Sequence, residues 1–231
     1  MWTLSGFVDE IDPDFTLQCD VARELGLNFI EFRSAWDVNV LKLSDAQLDQ
    51  VQEILTDHSL GVSSIGSPIG KIYIDDDFEP HLEQMRRAVQ VAHRFRAPYI
   101  RIFSFFLRPD TAPEEVRDEV MRRMSALVQI AEEGNVTLLH ENEKGIYGDV
   151  PARCHDLVTT VDSPRLRIAW DAANYVQVGV NPHTEGFELL RPYLEYVQIK
   201  DALHENGKVV PAGEGDGQVR ETIRGLRDDK F

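Results

Sequence analysis

What most constrains this chain is a repeating alternation of helical and strand-like segments. Short apolar runs at residues 4–8, 29–32, 62–66, 99–105, 136–140, 166–170 and 196–200 are separated by longer stretches with helical spacing. The runs are rich in β-branched and aromatic residues, as strands buried on both faces should be. Strands that alternate with helices lie parallel, so the pattern predicts a parallel α/β architecture.

The helical stretches carry their own signals. Ser44-Asp-Ala-Gln47 reads as a capping box, with Leu43 and Leu48 placed as a hydrophobic staple. Around residues 80–95, Leu82, Met85, Val89 and Ala92 share one face. Pro113 suits a first helical turn, and Val116, Val120, Met124, Leu127 and Ala131 follow it on one stripe. Gly26 and Gly134 stand where helix C-caps are expected. No linker or low-complexity tract marks a second domain, so residues 1–231 read as one domain.

Two parallel architectures compete. A doubly wound sheet usually carries a Gly-rich phosphate loop after its first strand, but here Phe7-Val-Asp-Glu-Ile-Asp-Pro follows. A TIM (β/α)8-type barrel is therefore preferred, and 231 residues fall within its size range. Such a barrel needs eight strands. After residues 217–229, which read as the seventh helix, only Lys230 and Phe231 remain. The expectation is a barrel truncated before its eighth strand, lacking its C-terminal strand and helix.

Charge and composition narrow the partners. A net charge of −16 opposes binding to a polyanion, so nucleic acid is disfavoured. No apolar run approaches the ~20 residues that span a bilayer, and the start lacks a secretion signal. Cys19 and Cys154 both fall in predicted helices and are expected to be reduced. The expected location is the cytoplasm.

Active sites of such barrels lie at the C-terminal ends of the strands. Glu10, Glu31, Arg101, Glu141, Asp171, Gln198 and Lys200 all fall at or near these ends. A lone strand-end carboxylate is commonly a helix cap or a surface charge. Glu141, Asp171 and Gln198, however, occupy matching positions in three consecutive units. Two carboxylates and an amide oxygen on one rim make a divalent-cation site. His58 and His93 read as surface or packing residues, His81 as a capping or exposed residue, and His140 as facing the outer helices. Glu143 and Lys144 are expected to pair with each other. Trp36 and Phe106 are expected to wall a pocket or pack in the core.

Ser5-Gly-Phe-Val-Asp-Glu-Ile, Ser64-Ile-Gly-Ser-Pro-Ile-Gly-Lys, Tyr99-Ile-Arg-Ile-Phe-Ser-Phe-Phe, Leu138-Leu-His-Glu-Asn-Glu-Lys-Gly, Tyr196-Val-Gln-Ile-Lys-Asp-Ala and Val210-Pro-Ala-Gly-Glu-Gly-Asp-Gly together resemble the xylose-isomerase-like TIM barrels, the sugar phosphate isomerase/epimerase family. The resemblance covers nearly the whole chain. It implies that Glu141, Asp171 and Gln198 hold a divalent ion (Mn²⁺, Mg²⁺, Co²⁺ or Zn²⁺), with Glu141 as a catalytic base. Many relatives have His in the Gln198 position. Where the family often has a substrate-contacting His, this chain has Asn174. The family's fourth ligand and second catalytic carboxylate lies in a strand-eight motif beyond Phe231. Glu214 is the nearest substitute, in a Gly-rich loop that closes over the substrate in relatives. Glu31, Arg101, Asn174, Lys200 and Glu214 are the candidate substrate contacts.

The implied function is a metal-dependent isomerase or epimerase acting on a small sugar, sugar phosphate or related hydroxy-keto compound through a metal-stabilised enediolate. An inosose or polyol dehydratase on the same scaffold is the alternative, and a catalytically impaired fragment or binding module is a third reading. The family's abasic-site DNA-repair branch needs several strand-end histidines, and Ser64-Ile-Gly-Ser-Pro offers none at strand three. Open edges on the first and seventh strands would favour a homo-oligomer that covers the gap, or a longer parent chain.

Overall fold

Six parallel strands form one sheet in strict chain order: β1 (Phe29–Phe32), β2 (Gly61–Ile65), β3 (Tyr99–Ile102), β4 (Thr137–Glu141), β5 (Leu166–Asp171) and β6 (Leu194–Gln198). The computed structural model describes residues 2–229 and 231. A doubly wound sheet would reverse its strand order at a switch point. Here each strand pairs with the next in the sequence, which curls the sheet into the open arc of a TIM barrel. The arc bends far enough for the Tyr196 hydroxyl on β6 to meet Ser63 Oγ of β2 at 3.0 Å and Ser5 Oγ at 2.5 Å.

Alternation along the strands divides their side chains between two environments. Ile30, Phe32, Ile100, Ile102, Leu138, Ile168 and Trp170 face outward into the main hydrophobic core. Helices α1 (Phe15–Glu24), α2 (Asp45–Asp57), α3 (Glu79–Phe95), α4 (Pro113–Glu133) and α5 (Pro151–Val161) cover that face. The inward set includes Glu31, Arg101, Glu141 and Gln198. Polar residues therefore lie inside the arc, and the apolar core lies between sheet and helices.

Local signals explain most helix ends. Ser44 Oγ and the Gln47 side chain form the expected capping box at the start of α2, and Leu43 and Leu48 are both buried. Pro113 opens α4, and Gly26 takes a left-handed conformation after α1. At the end of α4 the left-handed residue is Asn135 rather than Gly134, which remains right-handed. Cys19 and Cys154 are buried free thiols.

The first expected strand differs from the sequence reading. Residues 2–7 are extended without regular pairing, and Glu31 N–H donates to Gly6 C=O at 2.8 Å. A 3₁₀ turn over Val8–Glu10 follows. This segment and β6 face each other across the open side of the arc, where Leu4 is 65% exposed and Ile199 55% exposed. The last helix, Val219–Asp229, starts two residues later than the sequence suggests.

Candidate active site

An open cavity of about 1110 Å³ lies inside the arc. Its lining includes Glu31 of β1, Arg101 of β3, Glu141 of β4, and Gln198 and Lys200 at the end of β6. Strand register sets this grouping, because Arg101 pairs with Leu139 two residues before Glu141, and Asp171 pairs directly with Gln198.

The polar groups form one connected net. Glu141 Oε2 accepts from Gln198 Nε2 at 2.9 Å and from Arg101 Nη1 at 3.2 Å. Its other oxygen accepts from Asn174 Nδ2 at 3.4 Å. Asn174 also connects the second carboxylate, since its backbone N–H donates to Asp171 Oδ1 at 2.9 Å. Lys200 Nζ closes the net, with Asn174 Oδ1 at 2.9 Å and Asp171 Oδ2 at 3.3 Å.

Burial makes these charges costly. Burial pushes the Asp171 carboxyl up to about 6; Lys200 opposes the shift and Glu141 adds to it. Glu31 is pushed up to about 7 by burial, again against Arg101 and with the help of Glu141. Glu141 and Asp171 thus share the space with Arg101 and Lys200, beside a Glu31 carboxyl whose burial favours its neutral form.

The donor chemistry bears on whether the residues suit a metal. Among the described residues, no group of three or more His, Cys, Asp or Glu side chains is arranged to hold an ion, so a site here depends on the Gln198 amide. The donors that meet are two carboxylates and an amide, which suit a hard divalent cation. A half-turn of the Gln198 amide presents oxygen in place of nitrogen toward Glu141. The donor set suits such an ion in kind.

Several residues that local sequence reading passed over build this site. Asn142 is fully buried and straps β4 to Asp171 twice: its Oδ1 accepts from Asp171 N–H at 3.0 Å, and its Nδ2 donates to Asp171 C=O at 2.9 Å. Asp201, also fully buried, accepts from the backbone N–H groups of Ala202, Gly213, Gly215 and Gly217 at 2.8–3.0 Å. It gathers the Gly-rich loop around one carboxylate. A Cβ on Gly215 would come within 2.5 Å of Asp201 Oδ1, so glycine is required there by contact.

Other residues lie elsewhere than expected. Glu214 is exposed on that loop and does not line the cavity. Its neighbours are held by Asp201, which fixes the loop with the Glu214 side chain in solvent. Glu143 pairs with Lys71 at 3.1 Å rather than with Lys144, whose side chain is exposed. His81 is buried, not capping or exposed, and its Nε2 accepts from Gly70 N–H at 2.7 Å. Burial lowers its pKa to about 4, so it is neutral and structural. His140 lies behind its strand against Ser104 Oγ at 2.9 Å. Trp36 packs on Phe15 in the core, and neither Trp36 nor Phe106 lines the cavity.

With this geometry in place, the chain's likeness to known proteins is informative. A family model described as xylose isomerase-like TIM barrel matches residues 19–231. A 3-dehydroshikimate dehydratase of Bacillus anthracis is 24% identical over 213 residues, covering 89% of this chain and 75% of the relative. A 2-epi-5-epi-valiolone 7-phosphate 2-epimerase of an Actinoplanes species is 33% identical over 100 residues, 43% of this chain and 35% of the relative. A xylose isomerase-like TIM barrel protein of Mycobacterium smegmatis, solved in complex with magnesium, superposes with a TM-score of 0.78 at 20% identity, over 99% of this chain and 88% of that one. The chain belongs to the xylose isomerase-like TIM-barrel family.

Proposed function

We propose that residues 1–231 act as one barrel domain, a divalent-metal-dependent isomerase or epimerase of a small sugar, sugar phosphate or related hydroxy-keto compound. The observation that carries this reading is the meeting of Glu141, Asp171 and Gln198 in one net on the C-terminal rim. These three would hold the ion, and their oxygen donors favour Mg²⁺ or Mn²⁺ over softer choices such as Zn²⁺ or Co²⁺. When bound, the ion supplies Lewis-acid stabilisation of negative charge developing on a substrate oxygen.

The chain's own groups divide the remaining work. Glu141 would take a proton from the carbon beside a carbonyl, and Arg101 Nη1 and Asn174 Nδ2 hold its carboxylate. Glu31 holds its proton to near neutral pH and lines the same cavity, so it can donate to a substrate oxygen. Lys200 and Asn174 offer donors to hydroxyl groups beside Asp171. The same arrangement supports dehydration as a second reading, favoured by the dehydratase relative that aligns with 89% of the chain. No helix among the described residues is long and apolar enough to cross a membrane, and the proposed setting is the cytoplasm.

Calorimetric titration with Mn²⁺ tests the metal, and product analysis on a panel of hydroxy-ketones and polyols tests the reaction. Saturable binding that weakens at least tenfold in Glu141→Gln is expected. An epimer or isomer supports the first reading, and an unsaturated ketone the second. Mn²⁺ uptake identical in both proteins would overturn both.

A further inference from the structure

The cavity wall beside Phe7 has a further chemistry. The chain carries 40 acidic residues against 24 Lys and Arg, yet five of each line the cavity. Three of those cations are linked through two aromatic rings. Arg33 and Arg101 stack on Phe7, with guanidinium carbons 4.7 and 4.8 Å from its centroid. Arg101 and Lys71 both stack on Phe103, at 4.9 and 4.2 Å. Each ring thus has two cations within 5 Å of its centroid.

Arg101 has donors to spare. Its side chain is 9% exposed, and among the described residues it uses two of its five N–H groups, one on Glu141 and a long one on Ser67 C=O at 3.5 Å. Its Nε is buried without a partner. Lys71 spends one of three donors, on Glu143. The loop bearing Lys71 is anchored firmly. Phe103 N–H donates to Ile69 C=O at 2.8 Å, Phe105 N–H to Gly70 C=O at 3.0 Å, and Gly70 N–H to the buried His81. Gly70 has φ +90°, and a Cβ there would sit 2.0 Å from Phe103 C=O, so the loop lies directly on the backbone that follows β3. Lys71 is therefore carried on a fixed support beside a buried guanidinium that has free donors.

We propose that Arg101 and Lys71, held on either side of contact with Phe103, form an oxyanion subsite that binds the carboxylate or phosphate group of the substrate. The ligand is then an acidic hydroxy-keto compound and not a neutral sugar. This identification of the substrate rests on the reaction proposed above, whereas the anion seat does not. A planar fork and a point charge on one wall are the complement of a carboxylate or a phosphate. Such a group would be anchored on this wall while the reacting carbons face Glu141.

The test is titration of the full chain at low salt with a chelator present, using inorganic phosphate, glycolate and neutral glycerol as probes. Saturable binding of at least one anion is expected, with none of glycerol. Lys71→Gln, at an exposed position, should weaken the anion at least fivefold, and Arg101→Lys should do so further. Added salt should weaken binding in the wild type. The tighter anion tells which acid group the substrate carries. Absence of saturable binding by both anions, or equal affinity in wild type and a normally melting Lys71→Gln, would overturn the proposal. A protein that binds the anion but takes up no Mn²⁺ would sink the metal-dependent reaction and leave this subsite standing.

Discussion

The two sides of the cavity are built to different standards. On the side of β4 and β5, Asp171 is fixed by the two Asn142 hydrogen bonds and by the N–H of Asn174, all of them buried. On the side of residues 2–7 and β6, the sheet has no neighbour strand among the described residues, and Tyr196 reaches across to two serines. The closed side positions charge, and the open side leaves space. The difference teaches that the candidate chemistry depends on short, redundant hydrogen bonding around a few strand ends, and not on uniform closure of the barrel.

The largest effect is expected at the closed side. Asn142→Leu removes both straps and leaves the backbone N–H of Asp171 buried without its partner, at a cost of about 1–3 kcal/mol. Thermal melting should fall by several degrees, and Mn²⁺ affinity should fall with it. A melting temperature within a degree of wild type would erase the contrast between the two sides.

A pH series sharpens the comparison. Glu31 has a folded pKa near 7, raised above its unfolded value. Its proton therefore favours the folded state below about pH 4, and that stability is lost as pH rises through 7. In metal-free protein the loss reaches at most about 3 kcal/mol. The stability difference between wild type and Glu31→Gln, followed from pH 4 to 8 by denaturant titration, should drift against the wild type. A flat difference would mean that Glu31 is better solvated than its burial implies.

The smallest effect belongs to the open side. Tyr196→Phe deletes a hydroxyl that bridges Ser5 and Ser63, and should cost about 1 kcal/mol, with little change in metal affinity. A loss as large as that of Asn142→Leu would show that the open side carries as much of the fold as the closed one.

Much of the architecture was legible because it is locally encoded. The capping box at Ser44, the proline opening α4 and the apolar runs of β1 to β6 each carry a short-range signal. The strand expected over residues 4–8 had the right composition, but regular pairing also needs neighbours, and Gly6 offers one carbonyl to β1. Glu141, Asp171 and Gln198 could be placed on one rim from strand periodicity. Their partners could not. The pairing of Lys71 with Glu143 spans 72 positions, and the link from Asn142 to Asp171 spans 29. The glycines at 215 and 217 were the available sign of Asp201, because a backbone that wraps a carboxylate this closely has no room for Cβ atoms.

The most direct test of the whole account is anomalous diffraction from crystals soaked in Mn²⁺. One peak is expected within coordination distance, about 2.2 Å, of oxygens from Glu141, Asp171 and Gln198 together. Arg101 and Lys200 should then be drawn away from the two carboxylates. A peak at any other place, or none while the contacts of Arg101 with Glu141 and of Lys200 with Asp171 stay intact, would contradict the account.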